Sequence, residues 1–325
     1  MKKLVSWSHG RLGNIMFCIA SGKYYADKNG YDFYLFNSGS HNNFLSTVKD
    51  GIFKDIKIVD EIDKSQFEVI RERSTYSPFK INTDKDVYIE GYRECPKYWN
   101  NDKEYIFKLF KPEKGIISAI KNAYNVKFSE YVCINVRRGD YEKEDVKKTL
   151  GLLKIDFFYN CMDYFPEGQK YLIVSDDIEW CKKNFVGEQY LFADKDVEGF
   201  QKMYVDLWIQ TLCGHNIISN STFSWWGAYL NKTPGRKVYY PYRFFRVVVD
   251  RNKIPQNDNW VEVPAIWDDG RQSMRLKIEP KQKELETPKP SAEEKIMPEN
   301  KKPEPIVRYM KTPKSSKLRI IGMKR

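Results

Sequence analysis

The chain has 325 residues, is 41% hydrophobic and 15% aromatic, and carries a formal net charge of +11. This length suggests roughly two domains, and no apolar run approaches the ~20 residues that a membrane-spanning helix needs. The charge belongs mainly to one end, because residues 270–325 hold 16 Lys and Arg against 7 Asp and Glu and residues 1–269 are therefore nearly neutral.

Short apolar runs alternate with amphipathic stretches along most of the chain. Runs typical of strands are 3–7, 31–36, 56–60, 87–91, 131–136, 171–175, 216–219 and 237–240. Helical patterns occupy 14–28, 102–124, 154–164, 178–184, 198–213 and 223–230. Strands that alternate with helices predict α/β layers built on parallel sheets.

A break in this pattern before the middle of the chain predicts a junction between two α/β halves. We place an N-terminal α/β domain at 1–125 and a C-terminal α/β domain at 126–268. Beyond them, seven of the 15 prolines lie within 280–313. Such a segment buries too little apolar surface to offset the entropy cost of ordering, so residues 269–325 are predicted to be a disordered basic tail.

The last twenty residues of this tail carry seven basic side chains and no acidic ones, together with apolar residues such as Ile306, Leu318 and Ile320. Basic charge beside apolar anchors suits an anionic membrane surface, which would make the protein peripheral on the inner membrane face. Nucleic acid is the rival partner for a basic arm, although no specific nucleic-acid site is expected. A solvated tail that binds nothing specific is the other alternative.

The cysteines and histidines give little support to a metal site. Six cysteines occur at 18, 95, 133, 161, 181 and 213, none in a CxxC pair, and the chain has three histidines. Reduced cysteines among apolar residues are ordinary core residues and indicate a cytoplasmic protein, as does the lack of a signal-peptide hydrophobic region. The DKD triplets at 84–86 and 194–196 follow no convincing buried strand, so no metal site is predicted.

Charged residues follow the apolar run 131–136 without a turn. Arg137 and Arg138 offer planar forks that match phosphate oxygens, Gly139 permits close backbone approach, and Asp140 can orient an arginine or a substrate hydroxyl. An ordinary surface Arg–Asp pair is the alternative. Because the carboxyl ends of strands collect ligands in open α/β sheets, this segment is a candidate anion site.

Two further segments end predicted strands of the second half. Ser175, Asp176 and Asp177 can accept bonds from a ribose or a base, or can simply cap the next helix. Residues 219–224 crowd hydroxyls at a strand-to-helix transition, where free N–H groups can hold an anion. The aromatic residues that follow them are predicted to pack in the core; these are Trp225, Trp226 and Tyr229.

A fourth segment follows the first predicted strand. Gly10 and Gly13 allow a tight loop, Asn14 can start the helix, and Arg11 directs positive charge at whatever the loop faces. The segment lacks the GxGxxG spacing, so it does not predict a dinucleotide site.

The four segments read GRLGNIMF (10–17), NVRRGDY (135–141), VSDD (174–177) and HNIISNSTFSWWGAYL (215–230). Their residues, order and spacing resemble bacterial-type α-1,2-fucosyltransferases of glycosyltransferase family 11, over about residues 4 to 265. The EGYRECPKYW segment at 90–99 resembles the same family. The resemblance implies a GT-B-like architecture of two Rossmann-type domains, GDP-β-L-fucose as donor, inversion at the anomeric carbon, and no cofactor or metal ion.

The resemblance also carries over site residues. It implies donor contacts from Arg11, Asn14, Arg137, Arg138, Ser175, Asp176, Asp177, Asn220, Ser221, Thr222, Phe223 and Ser224, with the paired arginines on the diphosphate. The implied acceptor is a galactose O2 on an oligosaccharide or glycolipid, bound on the side of the N-terminal domain. Catalytic roles are predicted for Arg137, Asp140 and Asn135, although a carboxylate held by arginine is a weaker proton acceptor.

Three positions depart from the family pattern. Asn135 stands where the family has histidine, Ile15 where it usually has glutamine, and ECP replaces QSE at 94–96. Asn135 cannot act as a base, although it can orient a hydroxyl or phosphate by hydrogen bonds. The departures keep two alternatives open: transfer of fucose or another GDP-sugar with a different linkage, and a non-catalytic binding protein on a degenerate transferase fold.

Overall fold

The computed structural model describes residues 1–38, 51–72, 76–81, 83–246 and 260–272. All of them belong to one compact unit, Met1–Lys277. Most of the predicted tail lies outside the described residues, and the predicted domain boundaries stay predictions. Within the described part, no helix is long and apolar enough to cross a membrane.

The first half contains a five-stranded parallel sheet in the order β3-β2-β1-β5-β4. Its strands are β1 (Lys3–Ser8), β2 (Asp32–Asn37), β3 (Lys57–Val59), β4 (Phe67–Arg71) and β5 (Asp86–Glu90). The helices described in this half are α1 (Leu12–Asn29), α2 (Lys103–Leu109) and α3 (Ile116–Tyr124).

The second half contains a six-stranded parallel sheet in the order β11-β10-β9-β6-β7-β8. Its strands are β6 (Tyr131–Val136), β7 (Lys170–Ser175), β8 (Tyr190–Phe192), β9 (His215–Ile218), β10 (Val238–Pro241) and β11 (Trp260–Val263). Its helices are α4 (Glu144–Thr149), α5 (Ile155–Met162), α6 (Ile178–Asn184), α7 (Lys202–Leu212) and α8 (Thr222–Leu230). Two parallel sheets with helices confirm the predicted α/β, GT-B-like class.

The eight predicted strands are all present, and one predicted helix is wrong in its extent. The pattern at 102–124 forms two helices, α2 and α3, rather than one. Pro112 lies between them and cannot donate a helical hydrogen bond, and Gly115 begins α3 with a positive φ of 89°. Three strands, β4, β8 and β11, were not predicted.

The strand order of the second sheet determines where a ligand can bind. The chain leaves β6 toward β7 and leaves β9 toward β10, in opposite directions, so β6 and β9 flank a topological switch point. Such a point opens a crevice at the carboxyl ends of the strands. The residues after β1 and β5 of the first sheet border the same cleft.

The two halves are joined through α1 and α8, which pack closely together. An ideal Cβ at Gly13 would lie 2.5 Å from the backbone nitrogen of Phe223, so only glycine allows this approach. The indole Nε1 of Trp226 donates to the carbonyl of Gly13 at 2.9 Å. Phe17 lies with its ring centroid 4.8 Å from both Trp225 and Trp226. The prediction that Trp225, Trp226 and Tyr229 pack in the core is confirmed, since all three are buried.

Candidate active site

A cleft of about 350 Å³ lies at the carboxyl ends of the central strands. Its walls come from the loops after β1, β5, β6, β7 and β9, with one side formed by α7. Volumes of this size are typical of ligand pockets. The cleft brings together residues from all four of the sequence segments singled out above.

Arg137 forms the charged floor of this cleft. Its side chain is 15% exposed, and Nη1 pairs with Asp176 Oδ2 at 2.8 Å while Nη2 pairs with Asp140. The guanidinium also lies over the ring of Tyr141, 5.3 Å from its centroid. Nε is buried and has no hydrogen-bond partner among the described residues. Two carboxylates and a ring thus hold the guanidinium in place while leaving it donor capacity.

Arg138 has a different environment from its neighbour. Its side chain is 12% exposed, pairs with Glu142 and with Asp177 Oδ2 at 3.3 Å, and lies over Trp180 at 3.8 Å from the ring centroid. It is not among the described residues that line the cleft. A diphosphate contact by Arg138 therefore stays a prediction, while its guanidinium is committed to packing beside α6.

The two aspartates after β7 have different roles. Asp176 lines the cleft and accepts from the backbone N–H of Arg138 at 2.9 Å, whereas Asp177 caps α6 by accepting from Trp180 N at 3.1 Å. The capping alternative is thus what Asp177 adopts. Gly139 has a φ of 23°, and a Cβ there would lie 2.3 Å from Asp176 Oδ2, so glycine is needed for this turn.

Asn135 is the second-to-last residue of β6. Its side chain is buried and lines the cleft. Its Oδ1 accepts a hydrogen bond from the hydroxyl of Ser219 at 3.3 Å, at the end of the neighbouring β9. The amide nitrogen Nδ2 makes no hydrogen bond to any described residue. It is therefore a donor that a ligand in the cleft can use.

The hydroxyl-rich segment before α8 contributes some of its residues to the cleft. Ser221, Thr222 and Phe223 line it, and the first-turn N–H groups of α8 have no intrahelical partner. Asn220 is turned away, because its Nδ2 donates to the carbonyls of Leu150 at 2.9 Å and Gly151 at 2.8 Å.

Ser224 also stays outside the described lining of the cleft. Its hydroxyl donates to Ser219 O at 2.9 Å and to Ser221 O at 2.8 Å. Ser224 and Asn220 thus fix the backbone of the segment whose neighbouring residues face the cleft.

The loop after β1 closes the opposite side. Arg11 is the most exposed of the three arginines, with 56% of its side chain accessible, and its Nη2 lies 3.7 Å from Asp140 Oδ2. Asn14 Oδ1 accepts from the hydroxyl of Thr222 at 2.5 Å. Through these contacts Asp140 lies between an arginine of the first half and Arg137 of the second.

Sequence reasoning missed several residues of the cleft. On α7, Asp206 lines it together with Met203; Asp206 pairs with Lys202, and burial raises its pKa to about 6. The sequence did hold one signal for Asp206, because it is the only charged residue within the otherwise apolar run 204–208. Tyr92, after β5, also lines the cleft; burial raises its pKa to about 12, and its side chain is hydrogen-bonded to that of Asn14.

Within the described ranges, no cluster of three or more histidine, cysteine or acidic side chains is arranged to hold a metal ion. All six cysteines are buried and free. The chemistry available in the cleft is therefore that of arginines, carboxylates, hydroxyls and helix N–H groups. Arginines and helix N–H groups are suited to an anion, and carboxylates are able to exchange protons.

The chain has detectable relatives. The profile of Glycosyl transferase family 11 matches residues 25–243. An α-1,2-colitosyltransferase of Escherichia coli is 29% identical, over 71% of this chain and 88% of that protein. The O-antigen biosynthesis glycosyltransferase WbnK of Escherichia coli is 26% identical, over 50% of this chain and 56% of that protein. Human galactoside α-(1,2)-fucosyltransferase 1 is 31% identical, over 31% of this chain and 28% of its own length.

Solved structures with a similar trace include the NodZ α-1,6-fucosyltransferase soaked with GDP-fucose, at 16% identity and a TM-score of 0.43. That match covers 70% of this chain and 92% of the other. A mutant of Arabidopsis thaliana FUT1 in complex with GDP gives 12% identity and a TM-score of 0.45, over 75% of this chain and 71% of the other.

Proposed function

Because the chain belongs to glycosyltransferase family 11, and is therefore a glycosyltransferase, we propose that it transfers L-fucose from GDP-β-L-fucose to a glycan hydroxyl. The acceptor is a galactose O2 of an oligosaccharide or glycolipid, and the product linkage is α-1,2 with inversion. The names of the relatives support the linkage, since colitosyl and fucosyl transferases among them share α-1,2. No metal ion takes part.

One observation carries the proposal: Arg137, Arg11 and the start of α8 converge on one cleft at the switch point between β6 and β9. A nucleoside diphosphate needs several charge-assisted donors that are already in place. The guanidinium of Arg137 is positioned by two carboxylates, and α8 adds N–H groups together with the positive end of its dipole. The hydroxyls of Ser221 and Thr222 complete the set.

The nucleoside end of the donor is assigned to the α7 side of the cleft. Guanine presents adjacent N1–H and N2–H donors, and a carboxylate is their natural acceptor. Asp206 suits this role, because it reaches the cleft from α7 and its ion pair is with Lys202, whereas Asp140 and Asp176 hold Arg137, the proposed diphosphate ligand. Ser175 and Asn135 also line the cleft and offer further polar contacts to the nucleotide.

In the reaction, the acceptor oxygen bonds to the anomeric carbon while the bond from that carbon to the diphosphate breaks. The bonding electron pair leaves with the diphosphate oxygen, where Arg137, Arg11 and the α8 N–H groups stabilise the charge. Oxocarbenium character develops on the sugar in between. The hydroxyl proton passes to a base, and Asp140 is the candidate in this cleft.

In the structure Asp140 lies between Arg137 and Arg11. When a diphosphate engages both guanidinium groups, the carboxylate of Asp140 becomes available to hydrogen-bond the acceptor hydroxyl. Donor binding would then activate acceptor chemistry. Asn135 has no titratable group and acts only by hydrogen bonding.

Turnover tests the proposal most directly. GDP release and linkage analysis of the product are measured with GDP-fucose and a panel of galactosyl-terminated acceptors. Formation of an α-1,2 product supports the proposal, and a different linkage corrects it. GDP binding without turnover on any acceptor would favour a non-catalytic binding protein.

The relative matched over most of its length favours a second donor. Colitose is the 3-deoxy form of L-fucose, so the same cleft could take GDP-colitose. Comparing kcat/KM for the two donors on one acceptor decides between them, and a higher value for GDP-colitose would replace fucose in the proposal.

We also propose that the protein works in the cytoplasm, with the basic tail on an anionic membrane surface. Truncation after residue 272 is expected to leave turnover on a soluble acceptor unchanged and to weaken binding to phosphatidylglycerol vesicles. Equal vesicle binding by both forms would remove the membrane role.

A further inference from the structure

Three aromatic rings gather at the carboxyl edge of the first sheet. Trp7, in β1, and His9, just after it, are stacked with ring centroids 4.8 Å apart and planes 6° from parallel. Tyr92, after β5, meets both edge-on, at 5.3 Å from Trp7 and 5.7 Å from His9. All three residues are partly exposed. We call this group the aromatic cluster.

The aromatic cluster is not part of the packed core that α1 covers. Ser6 and Ser8 of β1 are buried, and the hydroxyl of Ser6 donates to Cys18 O on α1 at 3.1 Å. Because side chains alternate along a strand, Trp7 lies on the other face. On that face Val5 and Tyr88 are buried whereas Trp7 is partly exposed, so the three rings lie at the edge of the core and not inside it.

The cluster reaches the cleft through Tyr92, while Trp7 and His9 lie beyond the described lining. Tyr92 lines the cleft, and so does Gly10, which follows His9 in the chain. This edge is formed by the carboxyl ends of β1 and β5, on the side of the cleft that contributes few charges. Arg11 is the exposed cation beside it.

The backbone holds the rings in position before any ligand arrives. Gly91 has a φ of 117°, and a Cβ there would lie 2.3 Å from the Cβ of Glu72, so the turn that places Tyr92 requires glycine. The side chain of Tyr92 is further fixed by its hydrogen bond with Asn14. Gly10, with a φ of 84°, lets the chain turn directly after His9.

We infer that the aromatic cluster is the acceptor subsite, and that it binds a terminal galactoside by stacking against the apolar face of the sugar. This inference rests on the proposed transfer to a galactose O2. In galactopyranose the C–H bonds at C3, C4 and C5 lie on one face, which an aromatic surface covers without desolvating hydroxyls. Pockets with aromatic walls and few placed polar groups bind in this way.

The alternative ligand for these rings is the guanine of the donor. The positions of the charges disfavour it, because Arg137, the start of α8 and Asp206 belong to the second half, whereas the three rings belong to the first. A galactoside on the cluster would instead present its hydroxyls toward Arg11 and Asp140, where the proposed proton acceptor lies.

Replacement of Trp7 tests the inference, with Tyr34→Leu as the matched control. Tyr34 is a partly exposed aromatic residue of β2 that pairs with Val5, and it does not line the cleft. We expect Trp7→Leu to raise the acceptor KM at least tenfold while the Kd for GDP changes less than twofold. Trp7→Phe, which preserves an aromatic face, should stay within threefold of the wild type, as should Tyr34→Leu.

A second readout does not depend on the donor. Saturation-transfer NMR with methyl β-D-galactopyranoside should show the strongest transfer at H3, H4 and H5 in the wild type, and Trp7→Leu should abolish it. Equal transfer in both proteins overturns the inference, and so does a fall in GDP affinity that matches the rise in acceptor KM. If the wild type fails to turn over GDP-fucose but shows this transfer, the donor assignment fails while the subsite stands.

Discussion

The carboxyl edges of the two sheets border one cleft and differ in chemistry. At β6–β9 the chain places arginines, aspartates, hydroxyls and a helix N-terminus, whereas at β1–β5 it places Trp7, His9 and Tyr92, with Arg11 beside them. Strand order supplies only the crevice. Under the proposed function, the residues directly after each strand decide which part of the cleft takes a diphosphate and which takes a sugar face.

The same division occurs on a smaller scale between Arg137 and Arg138. Neighbours at the end of a strand point to opposite sides, so one guanidinium lies in the cleft and the other over Trp180. Residue type alone does not distinguish them. Substituting each in turn separates donor binding from packing.

The largest effect is expected at Arg137. Arg137→Ala removes a charge-assisted contact that is worth about 2.7–4 kcal/mol when it stabilises charge in a transition state. We therefore expect kcat/KM to fall by a factor on the order of 10²–10³, with weaker GDP binding measured by calorimetry. Wild-type activity in this variant would overturn the assignment of the β6 edge to the diphosphate.

Arg138→Ala is the matched substitution and should show the reverse pattern. It removes an ion-paired side chain stacked on an aromatic ring, which we expect to cost about 1–3 kcal/mol of unfolding free energy. Urea denaturation measures that loss, and GDP titration measures binding. A larger loss of GDP affinity than in Arg137→Ala would assign the diphosphate to Arg138 instead.

A somewhat smaller effect is expected where the halves meet. Gly13→Ala places a methyl group 2.5 Å from Phe223 N, so α8 must shift, at a cost of about 1–3 kcal/mol. Because the start of α8 is in the cleft, GDP affinity should fall as well. Gly30→Ala is the control, since nothing lies within 4 Å of its Cβ and only the backbone strain of about 1 kcal/mol remains. Equal GDP affinity in Gly13→Ala and the wild type would separate α8 from donor binding.

The sequence predicts the inner strands of the fold far better than its edges. The strands it missed, β4, β8 and β11, all lie at the edges of the described sheets and are mostly only partly buried. A central parallel strand such as β6 is buried on both faces and reads as an apolar run. A short edge strand is not, so its formation depends on the neighbour it pairs with.

The candidate site was predictable in its segments but not in the direction of its side chains. The four motifs meet, yet Asn220 and Asp177 serve the surrounding backbone rather than the cleft. Asp206 was missed because its burial comes from packing of α7 against the rest of the fold. The sequence pattern shows that Asp206 lies on a helix, but it does not show which other elements pack against that side of the helix.

The smallest and most specific effect is expected at Asp206, where a substitution should raise the stability of the protein and weaken GDP binding. Burial raises its pKa from 3.8 to about 6, so in the pH interval between these values the unfolded chain releases this proton before the native protein does. The stability from this group is complete below about pH 4, is lost as the pH rises, and is absent above about pH 6. Asp206→Asn has no such proton.

Asp206→Asn should therefore be more stable than the wild type at pH 7 by about 1–2 kcal/mol, less than the full shift implies because Lys202 loses its partner. The gain should shrink as the pH falls from 6 to 4, which urea unfolding at several pH values measures. Asp156→Asn, at a half-exposed aspartate, should keep the wild-type pH profile. If Asp206 accepts the guanine N–H groups, GDP affinity should fall about tenfold in Asp206→Asn. A variant that gains stability and retains full GDP affinity would place guanine elsewhere in the cleft.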